Sequence, residues 1–225
     1  MPPTAGFGAP RAPTLQGLAV EHLWLVFLFV GLAVAAAVYG LIFWSIIAYR
    51  RRGEALPPQF HQNVPLEIVY TAIPLLIVAG LFVLTVRTEA FVDRLTRTGD
   101  PVSIRATGFR WSWQFEYEGE HVTVQGTPDR PPELVVPTGE PIRITVVSVD
   151  VMHAFYVPAF LFKRDAFPGL TNRFEVTVRD PGTYLGECAE FCGLDHARML
   201  FTVRAVPPAE FRAWLEQARR GGPSS

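Results

Sequence analysis

Two long apolar runs without charge constrain this chain more than any other feature. From Leu23 to Tyr49 no charged residue occurs, and Leu, Val, Ala, Ile and Phe dominate. A second uncharged run extends from Ile68 to Val86 and ends at Arg87. A helix needs about 20 apolar residues to cross a hydrocarbon layer of roughly 30 Å, so both runs are long enough. Pro74 falls inside the second run, where a membrane helix tolerates it better than a soluble one. A buried soluble helix is the weaker reading at these lengths. For the first run the other alternative is a cleaved secretory signal. Against it, Met1–Gly17 has no basic residue except Arg11, and the run outlasts a signal's apolar core. The expected layout is a segment over 1–20, a membrane helix over 21–49, a connection over 50–65 and a second membrane helix over 66–88. The Pro, Gly and Ala content of Met1–Gly17 suggests a segment without fixed structure.

Arg50, Arg51 and Arg52 cluster at the end of the first run. By the positive-inside rule the short connection is cytoplasmic, and both termini face outward from a cell or inner membrane. Arg87, Arg94, Arg97 and Arg105 pull the other way, but large translocated domains escape the rule.

Beyond about Arg97 the pattern changes to short β-like segments. Phe109, Trp111, Trp113, Phe115 and Tyr117 alternate and are expected on one face of a strand. Pro141–Val149, Arg173–Val178, Gly182–Leu185 and Leu200–Val206 are further strands. Prolines and glycines such as Pro137, Gly139, Pro168, Gly169, Pro181 and Gly182 punctuate them. This spacing predicts an antiparallel sandwich or barrel over 98–206. Over 207–220, Phe211, Trp214, Leu215 and Ala218 recur at helical spacing, with Glu210 in the first turn and Arg219 and Arg220 in the last. The net charge of −1 and the lack of a basic patch argue against nucleic acid as a partner.

The chain has only 2 cysteines, so no disulfide framework is built. Both lie in Cys188-Ala-Glu-Phe-Cys192-Gly-Leu-Asp-His196-Ala-Arg-Met199. Thiolate and thioether are soft ligands that suit copper, and structural zinc sites rarely use Met. A blue-copper site takes one Cys, two His and a weak axial Met, so this set holds one Cys too many. Two coppers bridged by the two sulfurs would use every donor. A second imidazole must come from elsewhere. His22 and His61 lie beside the apolar runs, and His121 follows an acidic turn. His153, just after a strand, has the best position, while Met152 is expected to pack.

The Cys-x-Glu-x-Cys-Gly-x-x-His-x-x-Met run, preceded by Val-x-His, resembles the CuA motif of the cytochrome c oxidase subunit II family. Asn63-x-x-Leu66-Glu67-Ile-x-x-Thr71-x-x-Pro74 resembles the start of that family's second helix. Phe162-Lys163-x-Asp165-Ala-x-Pro168-Gly169 resembles its segment before the last strands. The resemblance covers nearly the whole chain. It implies a two-helix membrane hairpin, then a cupredoxin-like Greek-key β-sandwich and a C-terminal helix. It implies two copper ions held by His153, Cys188, Cys192, His196 and Met199, with the Glu190 carbonyl as a further ligand. The Glu190 side chain would reach a Mg²⁺ shared with subunit I. Trp111 would be the point where electrons enter from cytochrome c, and Glu67 would serve proton uptake. Phe109 and Arg110 depart from the His-Gln common before that tryptophan. Tyr70 replaces a tryptophan common in the family. Glu116, Glu118 and Glu120 are expected as acidic docking ground for a basic cytochrome.

The implied function is electron transfer from cytochrome c to the haem of subunit I. There oxygen is reduced to water with coupled proton translocation, in a complex with further oxidase subunits and membrane lipid. A quinol oxidase subunit shares the fold but lacks the copper ligands, all of which stand here. A nitric oxide reductase subunit is less firmly excluded, and a membrane copper-delivery protein would not require Trp111 or the hairpin motif.

Overall fold

The computed structural model describes residues 11–51, 53, 61–96 and 101–221. Arg52, Arg97, most of the expected connection over 50–65 and the expected domain start at 98 lie outside the described residues. The chain divides into two units, residues 22–89 and a second formed by the residues up to Glu21 with those from Ala90 onward.

Helices α1 (Leu15–Ala48) and α2 (Val64–Val92) supply the first unit, except for the start of α1 and the end of α2, which belong to the second. With 34 and 29 residues they would reach roughly 50 and 43 Å at 1.5 Å per residue. Their apolar side chains are exposed on all sides, as with Leu41, Phe43, Ile46, Leu75, Leu76 and Phe82, so neither presents one stripe to a core. The Thr71 and Thr85 hydroxyls donate to the Glu67 and Leu81 carbonyls one turn back, which satisfies them inside the helix. Asn63 and Glu67 cap the start of α2. The Asn63 side chain accepts from Leu66 N–H, and the Glu67 carboxylate accepts from Asn63 N–H. Helix α1 begins at Leu15 rather than at residue 21, because the Thr14 hydroxyl accepts from Gly17 N–H and caps it there.

The second unit is a sandwich of two five-stranded sheets. Strands β1 (Val102–Phe109), β2 (Ser112–Tyr117), β3 (Val122–Gln125), β5 (Ile142–Ser148) and β8 (Asn172–Val176) form one, in the order β3-β2-β1-β5-β8. Strands β4 (Glu133–Pro137), β6 (His153–Val157), β7 (Phe162–Ala166), β9 (Gly182–Cys188) and β10 (Leu200–Val206) form the other, in the order β4-β10-β9-β6-β7. Pairs β1–β5 and β4–β10 are parallel and the remainder antiparallel. Between the sheets Trp113, Phe115, Phe155 and Phe201 pack edge to face or tilted, with Trp113–Phe155 centroids 5.9 Å and Phe155–Phe201 centroids 4.7 Å apart. Helix α3 (Pro208–Gly221) lays Phe211, Leu215 and Ala218 on this core, and Trp214 lies 5.1 Å from Tyr117.

Two expectations are corrected here. Phe109 and Trp111 do not share a strand face with Trp113, Phe115 and Tyr117. The chain reverses at Arg110–Trp111, and Phe109 pairs with Ser112 across the turn. No Gly, Pro or Asn marks this reversal; the remote Asp150 carboxylate fixes it by accepting from Arg110 N–H at 2.8 Å. The described part of the N-terminal segment is also ordered. Ala12, Pro13 and Thr14 are buried, and Arg179 N–H donates to the Pro13 carbonyl at 2.7 Å. Thr14 bridges Val178, and Leu15 N–H donates to Thr177. Small apolar residues with free carbonyls suit the edge of a sandwich, which composition alone does not reveal.

Near the same edge Arg143 and Glu175 face each other across β5 and β8, with Nη2 and Oε1 2.7 Å apart. Glu175 also accepts from Thr96 N–H, and Arg143 donates to the Thr96 carbonyl. The chain that follows α2 is thereby tied to the sheet.

Candidate metal centre

Strand β9 ends at Cys188 and β10 begins at Leu200, so the donor run folds into the loop between two adjacent strands. The loop closes at its base, where Cys188 N–H donates to the Met199 carbonyl at 3.0 Å. Gly193 turns the chain with φ of 118°, a conformation that suits glycine. His196 N–H then donates to the Gly193 carbonyl and starts a 3-10 turn, His196–Arg198, that returns Met199 to the interior. Met199 is fully buried, Cys188 and Cys192 nearly so, and His196 is half-buried.

His153 opens β6, whose Phe155 pairs with Cys188 of β9. Alternation turns His153 and Phe155 to the same inner face, and His153 is fully buried. Its ring stands 6.2 Å from the Trp113 ring. Gly108 of β1 makes room for it, since a Cβ at that position would stand 3.0 Å from the imidazole.

The five expected side chains therefore converge. His153 Nδ1 is 3.9 Å from Cys188 Sγ, and the two Sγ atoms are 4.0 Å apart. Cys192 Sγ lies 3.5 Å from His196 Nδ1 and 3.8 Å from Met199 Sδ. The Glu190 carbonyl oxygen is 3.3 Å from Cys188 Sγ. Both cysteines are free. One ligand atom each from His153, Cys188 and Cys192 lies within 4.8 Å of the other two. The donor set fits copper: each sulfur has an imidazole nitrogen beside it, and the Glu190 carbonyl and the Met199 thioether stand within 4 Å as weaker donors.

Electrostatics favour a charged His153–Cys188 pair. Burial alone would lower the His153 pKa and raise that of Cys188. Cys188 and the Asp150 carboxylate reverse the first and raise His153, while the His153 ring and backbone contacts at Ala154 and Glu190 reverse the second and lower Cys188. Cys192 is pushed up to about 12 by burial and by the neighbouring Cys188. Asp150 is a residue the sequence reading missed. Its Oδ1 accepts from His153 Nε2 at 2.8 Å and from Val151 N–H at 2.6 Å, and its Oδ2 accepts from Arg110 N–H. Burial opposes ionisation, but these bonds outweigh it and hold Asp150 at about 2. An acid three residues before a candidate histidine ligand was the available signal.

Trp111 lies against the loop, and its Nε1–H donates to the Cys192 carbonyl at 3.1 Å. The Glu190 side chain turns away from the sulfurs to Lys163 Nζ, 2.6 Å from its Oε1. Glu67 belongs to the helical unit, where it caps α2. Met152, expected to pack, is exposed instead. Glu116 and Glu118 both pair with Arg105, and Glu120 pairs with Arg219.

Residues 2–87 match the family model described as "Cytochrome C oxidase subunit II, transmembrane domain", and residues 128–206 match "Cytochrome C oxidase subunit II, periplasmic domain". A probable cytochrome c oxidase subunit 2 of Streptomyces coelicolor is 35% identical over 96% of this chain and 80% of its own length. The periplasmic domain of cytochrome oxidase subunit II (CoxB) of Bradyrhizobium japonicum superposes with a TM-score of 0.50 at 34% identity. It covers 56% of this chain and 98% of that one. A subunit II periplasmic domain captured as a mixed disulfide with a thioredoxin-like protein matches with a TM-score of 0.50 at 34% identity. That match covers 58% of this chain and 100% of the other. The two apolar helices thus correspond to the membrane part and the sandwich to the periplasmic part of such proteins, and the chain belongs to the cytochrome c oxidase subunit II family.

Proposed function

We propose that this chain accepts electrons from cytochrome c at a binuclear copper centre. It passes them to the haem of subunit I, for reduction of oxygen to water coupled to proton translocation. The observation that carries this reading is the convergence of His153, Cys188, Cys192, His196 and Met199, with the Glu190 carbonyl, around two sulfurs 4.0 Å apart. These residues would hold two copper ions, which supply a reversible one-electron couple when bound. The protein's part is to keep that site rigid. The strand ends fix Cys188 and His153, the 3-10 turn fixes His196 and Met199, and Asp150 orients the His153 ring.

Trp111 is assigned as the point where electrons enter, because its indole bridges the surface and the Cys192 carbonyl. Both termini are assigned to the outer face and the Arg50–Pro65 connection to the cytoplasm. On that topology Glu67 stands at the inner end of α2 and serves proton uptake. The Glu190 side chain is assigned to a Mg²⁺ shared with subunit I, for which Lys163 would have to yield its carboxylate. Copper loading requires both thiols reduced. A thioredoxin-like protein of the kind captured as a mixed disulfide on a relative suits two free cysteines at this spacing.

Rapid-mixing reduction of the assembled oxidase by a cytochrome c tests the reading. Cys192→Ser is expected to abolish the fast electron transfer that the parent shows. Fast transfer persisting in a copper-depleted Cys192→Ser complex would overturn it.

A further inference from the structure

A cavity of about 1070 Å³ lies beside the start of β5, away from the metal loop. Its walls are the start of α1, the chain at and just beyond the end of α2, and the β5–β8 edge of the sandwich. All three belong to the β unit.

The polar groups on the sandwich wall are already engaged. Glu175, whose side chain is only 3% exposed, pairs with Arg143 and accepts from Thr96 N–H. Gln16 accepts from Thr177 N–H at 3.0 Å. The helix wall is different. Leu15, Phe91 and Leu95 line the cavity while 43%, 45% and 40% exposed. Arg94 lines it too, and it is exposed and makes no ion pair among the described residues. Its acidic neighbour Asp93 is held instead by Arg164 of β7. The cavity therefore offers one guanidinium beside three apolar side chains.

The depth of this wall follows from the second apolar run. Ile68–Val86 spans roughly 28 Å at 1.5 Å per residue, close to the roughly 30 Å of the hydrocarbon layer. Phe91 then stands about 7 Å beyond that layer, among the lipid headgroups.

From this placement we infer that the cavity binds the headgroup end of an anionic phospholipid. The Arg94 guanidinium takes the phosphate, whose oxygens its planar fork matches. Leu15, Phe91 and Leu95 take the glycerol esters and the first methylenes of the acyl chains. Basic pockets beside membrane helices receive lipid headgroups in this way. An apolar protein segment seated here would bury the Arg94 charge without a partner, at a cost that a lipid phosphate removes. A bound lipid also joins the entry of α1 to the exit of α2.

The test uses the assembled oxidase, stripped of lipid in detergent and titrated with dioleoylphosphatidylglycerol, with retained lipid read by native mass spectrometry. Copper content and reduction by a small-molecule reductant check that each variant is intact. The parent should retain one more phosphatidylglycerol than Arg94→Gln at equal lipid concentration, and Arg94→Lys should restore part of the difference. Leu95→Ser keeps the charge and should weaken that lipid about tenfold. Dioleoylphosphatidylcholine, with the same chains and no net charge, should bind the site about tenfold more weakly. Equal retention in the parent and Arg94→Gln, as when a partner subunit fills the cavity, would overturn the site. So would equal retention of the two lipids, or displacement by millimolar inorganic phosphate, which would reveal a bare anion site. If Arg94→Gln fails to assemble, Leu95→Ser decides: parent-like retention in it overturns the lipid site.

Discussion

Asp150 Oδ1 lies 2.8 Å from His153 Nε2, which leaves the opposite nitrogen, Nδ1, facing Cys188 Sγ at 3.9 Å. A carboxylate on the far nitrogen fixes the tautomer and the ring orientation of a metal-binding histidine. The same carboxylate accepts from Arg110 N–H and so holds the turn that presents Trp111. One residue positions both the buried histidine and the tryptophan that lies against the loop.

Removing that carboxylate should weaken copper binding without unfolding the domain. Asp150→Ala is expected to lower copper affinity about 10- to 100-fold, read by titration against a competing chelator. Asp150→Asn keeps an acceptor and should restore most of the affinity. Equal affinity in Asp150→Ala and the parent would show that His153 is held by packing alone.

Space around His153 is as tightly set as its hydrogen bond. A Cβ on Gly108 would stand 3.0 Å from the ring, which is boxed in by Trp113 on another side. Gly108→Ala should therefore cost about 1–3 kcal/mol in denaturant unfolding. It should also perturb copper binding more than Gly139→Ala does at an open turn. No effect on either quantity would mean that the imidazole can shift freely.

Trp111 should act in electron transfer rather than in holding metal. Trp111→Ala removes the Nε1–H bond to the Cys192 carbonyl but none of the five candidate side-chain ligands. Slower reduction by cytochrome c at unchanged copper content is the expected outcome of rapid mixing and metal analysis. Loss of copper would make the indole a structural support of the loop.

The Arg143–Glu175 pair should make the β unit acid-sensitive. Burial would raise the Glu175 pKa, but hydrogen bonds from Thr96 and Arg143 outweigh it and lower the value below the usual carboxylate range. A depressed folded-state pKa contributes stability that is full above the unfolded value. It is lost as pH falls from there through the folded value. Glu175→Gln should reduce stability at neutral pH by about 3 kcal/mol, because Arg143 loses its buried partner. It should also flatten the decline below about pH 4.5. Unfolding of the full chain in detergent across pH 3–7 reads both, and a parallel decline in parent and variant would assign the acid sensitivity elsewhere.

The metal run was legible because Cys188, Cys192, His196 and Met199 are local, so spacing and ligand softness were enough to name copper. His153 was legible from its place at a strand end. Asp150 and Gly108 were not, because their roles depend on β1, β5 and β6 meeting at one end of the sandwich. The Arg110–Trp111 reversal was hidden for a related reason: its stabilising partner is 40 residues away in sequence. Strands β3, β4, β6 and β7 are only four or five residues long, too short for alternation to declare them. The burial of Ala12–Thr14 required the edge beside Thr177–Arg179, which no local pattern announces. The two membrane helices were the plainest feature, since a long uncharged apolar run admits few other structures.

The most direct test of the central claim is copper quantification with electron paramagnetic resonance on the purified full chain. Two coppers per chain, with one unpaired electron shared equally between them in the oxidised form, is the predicted result. A single copper with a one-site spectrum, or zinc in its place, would contradict it.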